Sequence, residues 1–168
     1  MGIVKYSIDT SAILHAWIRA YPPDVFVGVW ELIDELIDQG VLIATEEVRV
    51  ELERKHDAPY HWARLRDDMF VPVDRRIQEA VHRLLGSYKR LVDTRKNRSG
   101  ADPFVIALAQ IEGCTVVTNE APTGKLEKPN IPDVCAALGL RCISILEMIV
   151  EQGRVFGTRG RRIPGKGS

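Results

Sequence analysis

Apolar positions in this chain follow two rhythms. Short blocks, "IVKYSI" (3–8), "VLIA" (41–44), "CTVVT" (114–118) and "RCISI" (141–145), are β-rich and too short to be helices, so they predict buried strands. Between them, apolar residues recur three and four positions apart. That spacing predicts helices over 11–20, from 25 to near Gly40, and over 45–55, 58–69, 74–93, 102–112, 131–139 and 146–153. Val25, Val29, Ile33 and Leu36 mark the second helix, and Ile77, Val81, Leu84, Leu85 and Leu91 mark the fifth. The prolines of "YPP" stop the first helix, Thr45 is placed to cap the third, and Pro132 suits a helix start. Strands alternating with helices predict an α/β fold, a three-layer α/β/α arrangement with a mainly parallel central sheet. No repeat or linker divides the chain, so one domain is expected over 1–153, followed by a basic Gly/Arg-rich tail over 154–168 that is expected to be mobile.

In such sheets ligands collect where strands end at their carboxyl side. Acids occupy those places. Asp9 follows the first strand in "IDTS", and Glu120 follows the strand 114–118 in "TNE". Asp102 opens the helix leading into that strand, and Glu46, Glu47, Glu51 and Glu53 lie on the helix after the second strand. Each has an ordinary explanation alone: Asp9 as a cap, Asp102 as an acid cap before Pro103, Glu51 as a solvated helix residue, Glu120 as a loop residue. Four such acids on one edge are a different matter, because gathered carboxylates repel unless a cation sits among them. Oxygen ligands with the neighbouring hydroxyls of Thr10, Ser11 and Thr118 suit Mg²⁺ or Mn²⁺, whose remaining ligands are water and phosphate oxygens. The chemistry indicated is that of phosphoesters.

Composition narrows this further. The formal net charge is zero, so nothing in the overall balance supports coating of a duplex by charge alone. Basic residues are instead concentrated in 89–98 and 154–167. Cys114, Cys135 and Cys142 lack metal-ligand spacing and read as buried thiols in a reducing compartment, and the four histidines form no ligand pair. The chain has no run of eighteen apolar residues and no secretory pattern at Met1, so a cytoplasmic protein without a membrane partner is expected.

The motifs resemble those of the PIN-domain nucleases. "IDTSAIL" looks like their opening strand, "TEEVRVELERK" like their second motif with Glu51 as its acid, "ADPFVIALA" like the third, and "VVTNE" like the fourth. The order agrees over about residues 3–150. "YPPDVF" and "IPDVCAALGLRCISILEMI" are similar to a family of short prokaryotic PIN-like proteins without an assigned activity. Glu120 stands where Asp is usual, and Asp133 is a candidate to share its role. The resemblance implies a metal-dependent endoribonuclease, often the toxin of a toxin–antitoxin pair. Asp9, Glu51, Asp102 and Glu120 would be its catalytic and metal-holding acids, with Thr10, Ser11, Thr118 and Asp133 in support. Lys96, Arg98, Arg159 and Arg161 would guide an RNA substrate. A cognate antitoxin and a homodimer are the implied partners.

Competing readings fare differently. A dinucleotide-binding domain needs a glycine-rich first turn, which "IDTSAI" lacks. A phosphotransferase of the haloacid dehalogenase kind wants a second Asp two residues after the first, where Ser11 stands. A catalytically degenerate PIN-like module that binds RNA or protein without cutting is the alternative that stays open. Trp17 and Trp62 are expected to pack rather than stack on bases, and Val25, Val29 and Trp30 to lie in the core rather than on a dimer face.

Overall fold

The computed structural model of the chain describes residues 2–92 and 100–157. In chain order its elements are β1 (Tyr6–Ile8), α1 (Thr10–His15) running on as a π-helical stretch (Ala16–Ala20), α2 (Val27–Asp38), β2 (Leu42–Thr45) and α3 (Glu46–Lys55). Then come α4 (Ala58–Arg64), a 3₁₀ turn (Asp67–Met69), β3 (Phe70–Val71), α5 (Arg75–Ser87), α6 (Asp102–Glu112), β4 (Thr115–Val117), α7 (Ile131–Leu138), β5 (Cys142–Ile143) and α8 (Ile145–Glu151). The strands form one sheet in the order β3-β2-β1-β4-β5, and every pairing is parallel. The expected three-layer α/β/α class is what the chain adopts, with an all-parallel sheet.

β1 lies at the centre. Tyr6 is in register with Leu42 on one side and Thr115 on the other. The chain therefore builds outward from β1 in both directions, and the carboxyl ends of β1 and β4 meet at the point where strand order reverses. Tyr6, Ser7 and Ile8 are all buried, as a strand covered on both faces requires.

α6 explains why "DPFVIALAQIE" is apolar almost all round. It lies between the sheet and α5, and Pro103, Val105, Ile106, Ala107, Leu108 and Ala109 are buried along it. Ser7 at the sheet centre donates its hydroxyl to the Val105 carbonyl, which ties helix to strand. α5 presents Ile77, Ala80, Val81 and Leu84 to this layer and is capped by Asp74, whose carboxylate accepts from the Ile77 N–H.

Several boundaries differ from expectation. The strand expected over 3–8 begins only at Tyr6, and Ile3 and Val4 are exposed. α2 starts at Val27, leaving Val25 exposed while Val29 and Trp30 are buried. The helix expected over 58–69 is α4 followed by the 3₁₀ turn and then β3, a strand the pattern did not reveal. Two residues carry no periodicity; β3 exists because Phe70 pairs with Ala44 at the sheet edge. α5 ends at Ser87 instead of continuing to residue 93, although Leu91 is still buried beyond it. The three tryptophans pack together, with the Trp17 and Trp30 rings 4.8 Å apart and Trp30 and Trp62 5.2 Å apart. At the start of the expected tail, Arg154 pairs with Glu35, and Phe156 lies over Gly28 so closely that a Cβ there would meet its ring at 2.9 Å. Residues 158–168 lie outside the described residues. No described helix is long and apolar enough to cross a membrane.

Candidate metal centre

Asp9 stands at the turn from β1 into α1. Its backbone N–H still follows the sheet, donating to the Val117 carbonyl at 2.8 Å, while its backbone carbonyl accepts from Ala12 and Ile13. It occupies the N-cap position, yet its carboxylate accepts no helix N–H, so the ordinary capping explanation fails. The carboxylate is held from the side. Ser11 donates to Oδ2 at 2.5 Å and Thr118, just past β4, donates to the same oxygen at 3.0 Å. The Asn119 N–H holds the Ser11 hydroxyl and the Glu120 N–H holds that of Thr118. The expected hydroxyl residues thus fix the orientation of an acid only 1% exposed.

Asp102 is itself the first residue of α6, with Ala101 in the cap position and Pro103 next, so it is not the cap expected from sequence. Its side chain is turned inward and is 2% exposed. Glu51 ties the starts of two helices together: Oε2 accepts from the Thr10 hydroxyl at 2.5 Å, and Oε1 accepts from the Ala101 N–H at 3.1 Å. Glu120 is half-buried, and its Oε2 accepts from the Ile131 N–H at the start of α7.

Carboxylate oxygens of Asp9, Asp102 and Glu120 all lie within 4.8 Å of one another, close enough to share a metal ion. Three acids separated by as much as 111 positions, from Asp9 to Glu120, therefore converge at the reversal point of the sheet. The electrostatic consequence falls on Asp9. Burial pushes its carboxyl up to about 6, and the charges of Glu120 and Glu51 add to the rise against the opposing hydrogen bonds from Ser11 and Thr118.

Glu51 lies outside this three-acid group and faces it from one side through Thr10 and Ala101. It is still the acid of α3 that approaches the site; Glu46 instead accepts from the Val73 N–H. Asp133 does not join the group. Its carboxylate accepts from the N–H groups of Thr123, Gly124 and Asn130 and from the Thr123 hydroxyl. Burial alone would raise its carboxyl, but these donors outweigh it and hold it below the usual range. Its work is to shape the loop 121–130 and to complete a capping box with Asn130. Lys96, Arg98, Arg159 and Arg161 lie outside the described residues.

Sequence reading missed a shallow groove of about 230 Å³ that shares Ser11 with the acid centre and is lined further by Leu14, His15, Ile18, Arg19 and Asn119. The available signal was helical: Ser11, His15, Ile18 and Arg19 recur on one face of the first helix.

A family model described as "Domain of unknown function (DUF4411)" matches residues 6–156, and the chain belongs to that family. No curated protein matches the chain.

Proposed function

We propose that this DUF4411 chain is a metal-dependent endoribonuclease of the PIN-like kind, working with Mg²⁺ or Mn²⁺. One observation carries the reading: Asp9, Asp102 and Glu120, from three separate segments, bring carboxylate oxygens within 4.8 Å of one another, two of them buried. Burying like charges side by side is costly for a fold and is offset by a cation among them. The donors are all oxygens, with hydroxyls alongside, which fits a hard divalent ion better than zinc.

Asp9, Asp102 and Glu120 would hold the ion. When bound, it supplies a water of lowered pKa and neutralises charge developing on the phosphoryl oxygens. The chain's own part is positioning. Ser11 and Thr118 fix the Asp9 carboxylate, Glu51 fixes the entry of α6 and with it Asp102, and α7 fixes Glu120. Attack on the phosphodiester in line with the leaving oxygen leaves a 5′-phosphate and a 3′-hydroxyl. The toxin role, with a cognate antitoxin and a homodimer, follows from the resemblance; a small DNA-binding regulator encoded beside this chain would support it.

The alternative is a PIN-like module that binds RNA or protein without cutting. It is favoured by Glu120, which stands where Asp is usual and spends Oε2 on the Ile131 N–H. The deciding experiment incubates the purified chain with structured and unstructured RNAs, with and without Mn²⁺, beside an Asp9→Asn variant. Mn²⁺-dependent cutting that the variant loses is expected. Mn²⁺ binding without cleavage of any RNA selects the alternative, and equal cutting by both forms removes Asp9 from the reaction.

A further inference from the structure

An acid centre repels the polyanion it is proposed to cleave, so the approach of substrate needs positive charge close by. In a chain of zero net charge, that charge must be gathered locally. A cleft of about 950 Å³ gathers it. One wall is Ser87, Lys89 and Arg90, just past α5; the other is Gly124 to Glu127, in the loop between β4 and α7. Lys89, Arg90 and Lys125 face a single acid, Glu127, and none of the three enters an ion pair among the described residues.

Both walls are anchored. Leu91 is fully buried and its N–H bonds the Tyr88 carbonyl, which pins the segment carrying Lys89 and Arg90. Asp133 draws in the N–H groups of Thr123 and Gly124 and the Thr123 hydroxyl, whose oxygen in turn accepts from the Lys125 N–H. Gly124 takes φ +70°, a conformation that suits glycine and lets the loop fold onto Asp133. The loop also begins and ends at the acid centre: Glu120 precedes it, and Ile131 returns to bond the Glu120 carboxylate. Lys125 is therefore presented from a preset loop whose base is one of the clustered acids.

We infer that this cleft seats the phosphodiester backbone of a single nucleic-acid strand beside the acid centre; the inference deepens the nuclease reading and rests on it. A single strand is indicated by Leu126, which lines the same cleft, is 53% exposed and offers an apolar face to an unpaired base but nothing to a paired one.

The test measures fluorescence anisotropy of a labelled unstructured RNA of about 12 nucleotides, a length within the range such grooves engage. The full chain is used in EDTA so that nothing is cut. The combined variant K89E/R90E/K125E is compared with K5E, an exposed charge reversal at the opposite, amino-terminal edge of the sheet. The combined variant is expected to bind at least about tenfold more weakly at 50 mM salt, with the slope of log affinity against log salt reduced by about 2, as loss of three phosphate contacts on a single strand requires. K5E should match the unaltered chain. The same DNA strand, a duplex RNA and polyglutamate form further arms. Weaker binding by the duplex supports the inference, and the DNA strand tells whether the sugar is read. Equal loss in K5E, duplex binding as tight as single-strand binding, or polyglutamate competing as well as unlabelled RNA would overturn it, the last in favour of an acidic protein segment. The two readings fail separately. Binding lost in the combined variant without any Mn²⁺-dependent cleavage retires the nuclease and keeps the cleft; Mn²⁺-dependent cleavage with binding unchanged in the combined variant does the reverse.

Discussion

The two edges of the central sheet handle carboxylates in opposite ways. At the amino edge, Glu151 accepts from the Tyr6 hydroxyl at 2.7 Å and pairs with Arg141, while Gln152 donates to the same Tyr6 oxygen. One acid there meets a cation and a buried phenol, and each donor finds an acceptor. At the carboxyl edge, Asp9, Asp102 and Glu120 face one another, with Glu51 beside them. The amino edge is a local network that stabilises the fold it sits in. The carboxyl edge destabilises the metal-free chain, which is a reason to look there for function. Exchanging carboxylates for amides at both edges breaks the comparison most directly. Asp9→Asn and Asp102→Asn are each expected to lower Mn²⁺-dependent RNA cleavage by about 10³-fold, the scale on which loss of a key electrostatic group acts. Glu151→Gln should leave cleavage within about twofold, because it touches neither metal nor substrate. Initial rates on one RNA suffice, and a loss in Glu151→Gln equal to that in Asp9→Asn would erase the distinction.

Stability against pH gives the next largest effect. The Asp9 carboxyl is raised from 3.8 to about 6 in the folded chain. It therefore holds its proton more tightly when folded, so its favourable contribution is fully present below about 3.8 and is lost as pH rises through about 6. The metal-free chain should lose about 3 kcal/mol of stability over that window from this one group. Urea midpoints across pH 4 to 7 in EDTA measure it. Asp9→Asn should flatten the decline, and saturating Mn²⁺ should recover stability at neutral pH in the unaltered chain only. A decline of the same size in Asp9→Asn would assign it to other groups.

The sequence predicted these two edges unequally. Asp9 and Asp102 were legible because each sits where a strand ends or a helix opens, and that placement survives small errors in boundaries. Whether their side chains cap a helix or turn inward was not legible, since both choices use the same residues; for Asp9 the hydroxyls of Ser11 and Thr118 hold it to the side. Glu51 reaches the Thr10 hydroxyl and the Ala101 N–H, but the second contact joins residues 50 apart and leaves no local mark. Asp133 was misplaced for a reason the sequence did contain: Asn130 followed three residues later by an acid is a capping-box pattern. β3 escaped because two residues have no period, and the amino-edge network escaped because Tyr6 and Glu151 meet across 145 positions.

The amino edge can be weighed by its own loss. Glu151→Gln removes the ion pair with Arg141 and weakens the acceptor for the buried Tyr6 hydroxyl. The expected cost is about 1–2 kcal/mol, with the denaturant slope unchanged. No recovery by Mn²⁺ beyond that of the unaltered chain is expected. A neutral result would mean that an amide oxygen at position 151 accepts from Tyr6 as well as the carboxylate does and that the pair with Arg141 contributes nothing.

The smallest effect tests the residue that departs from the usual pattern. Glu120 does two things at once: one carboxylate oxygen caps α7 through the Ile131 N–H, and the side chain contributes an oxygen to the acid group. Both contacts are made from the one carboxylate at the end of the side chain. Glu120→Asp introduces the residue usual in the motif the chain resembles and removes one methylene, which draws the carboxylate back from both the helix and the group. Cleavage is expected to fall about fivefold, roughly 1 kcal/mol, with a matching weakening of Mn²⁺ affinity by calorimetry. If activity instead rises, Glu120 is a damaged ligand and the chain a weakened nuclease. If neither activity nor Mn²⁺ affinity moves, Glu120 belongs to α7 alone, and the centre reduces to Asp9 and Asp102 with Glu51 as the nearest further acid.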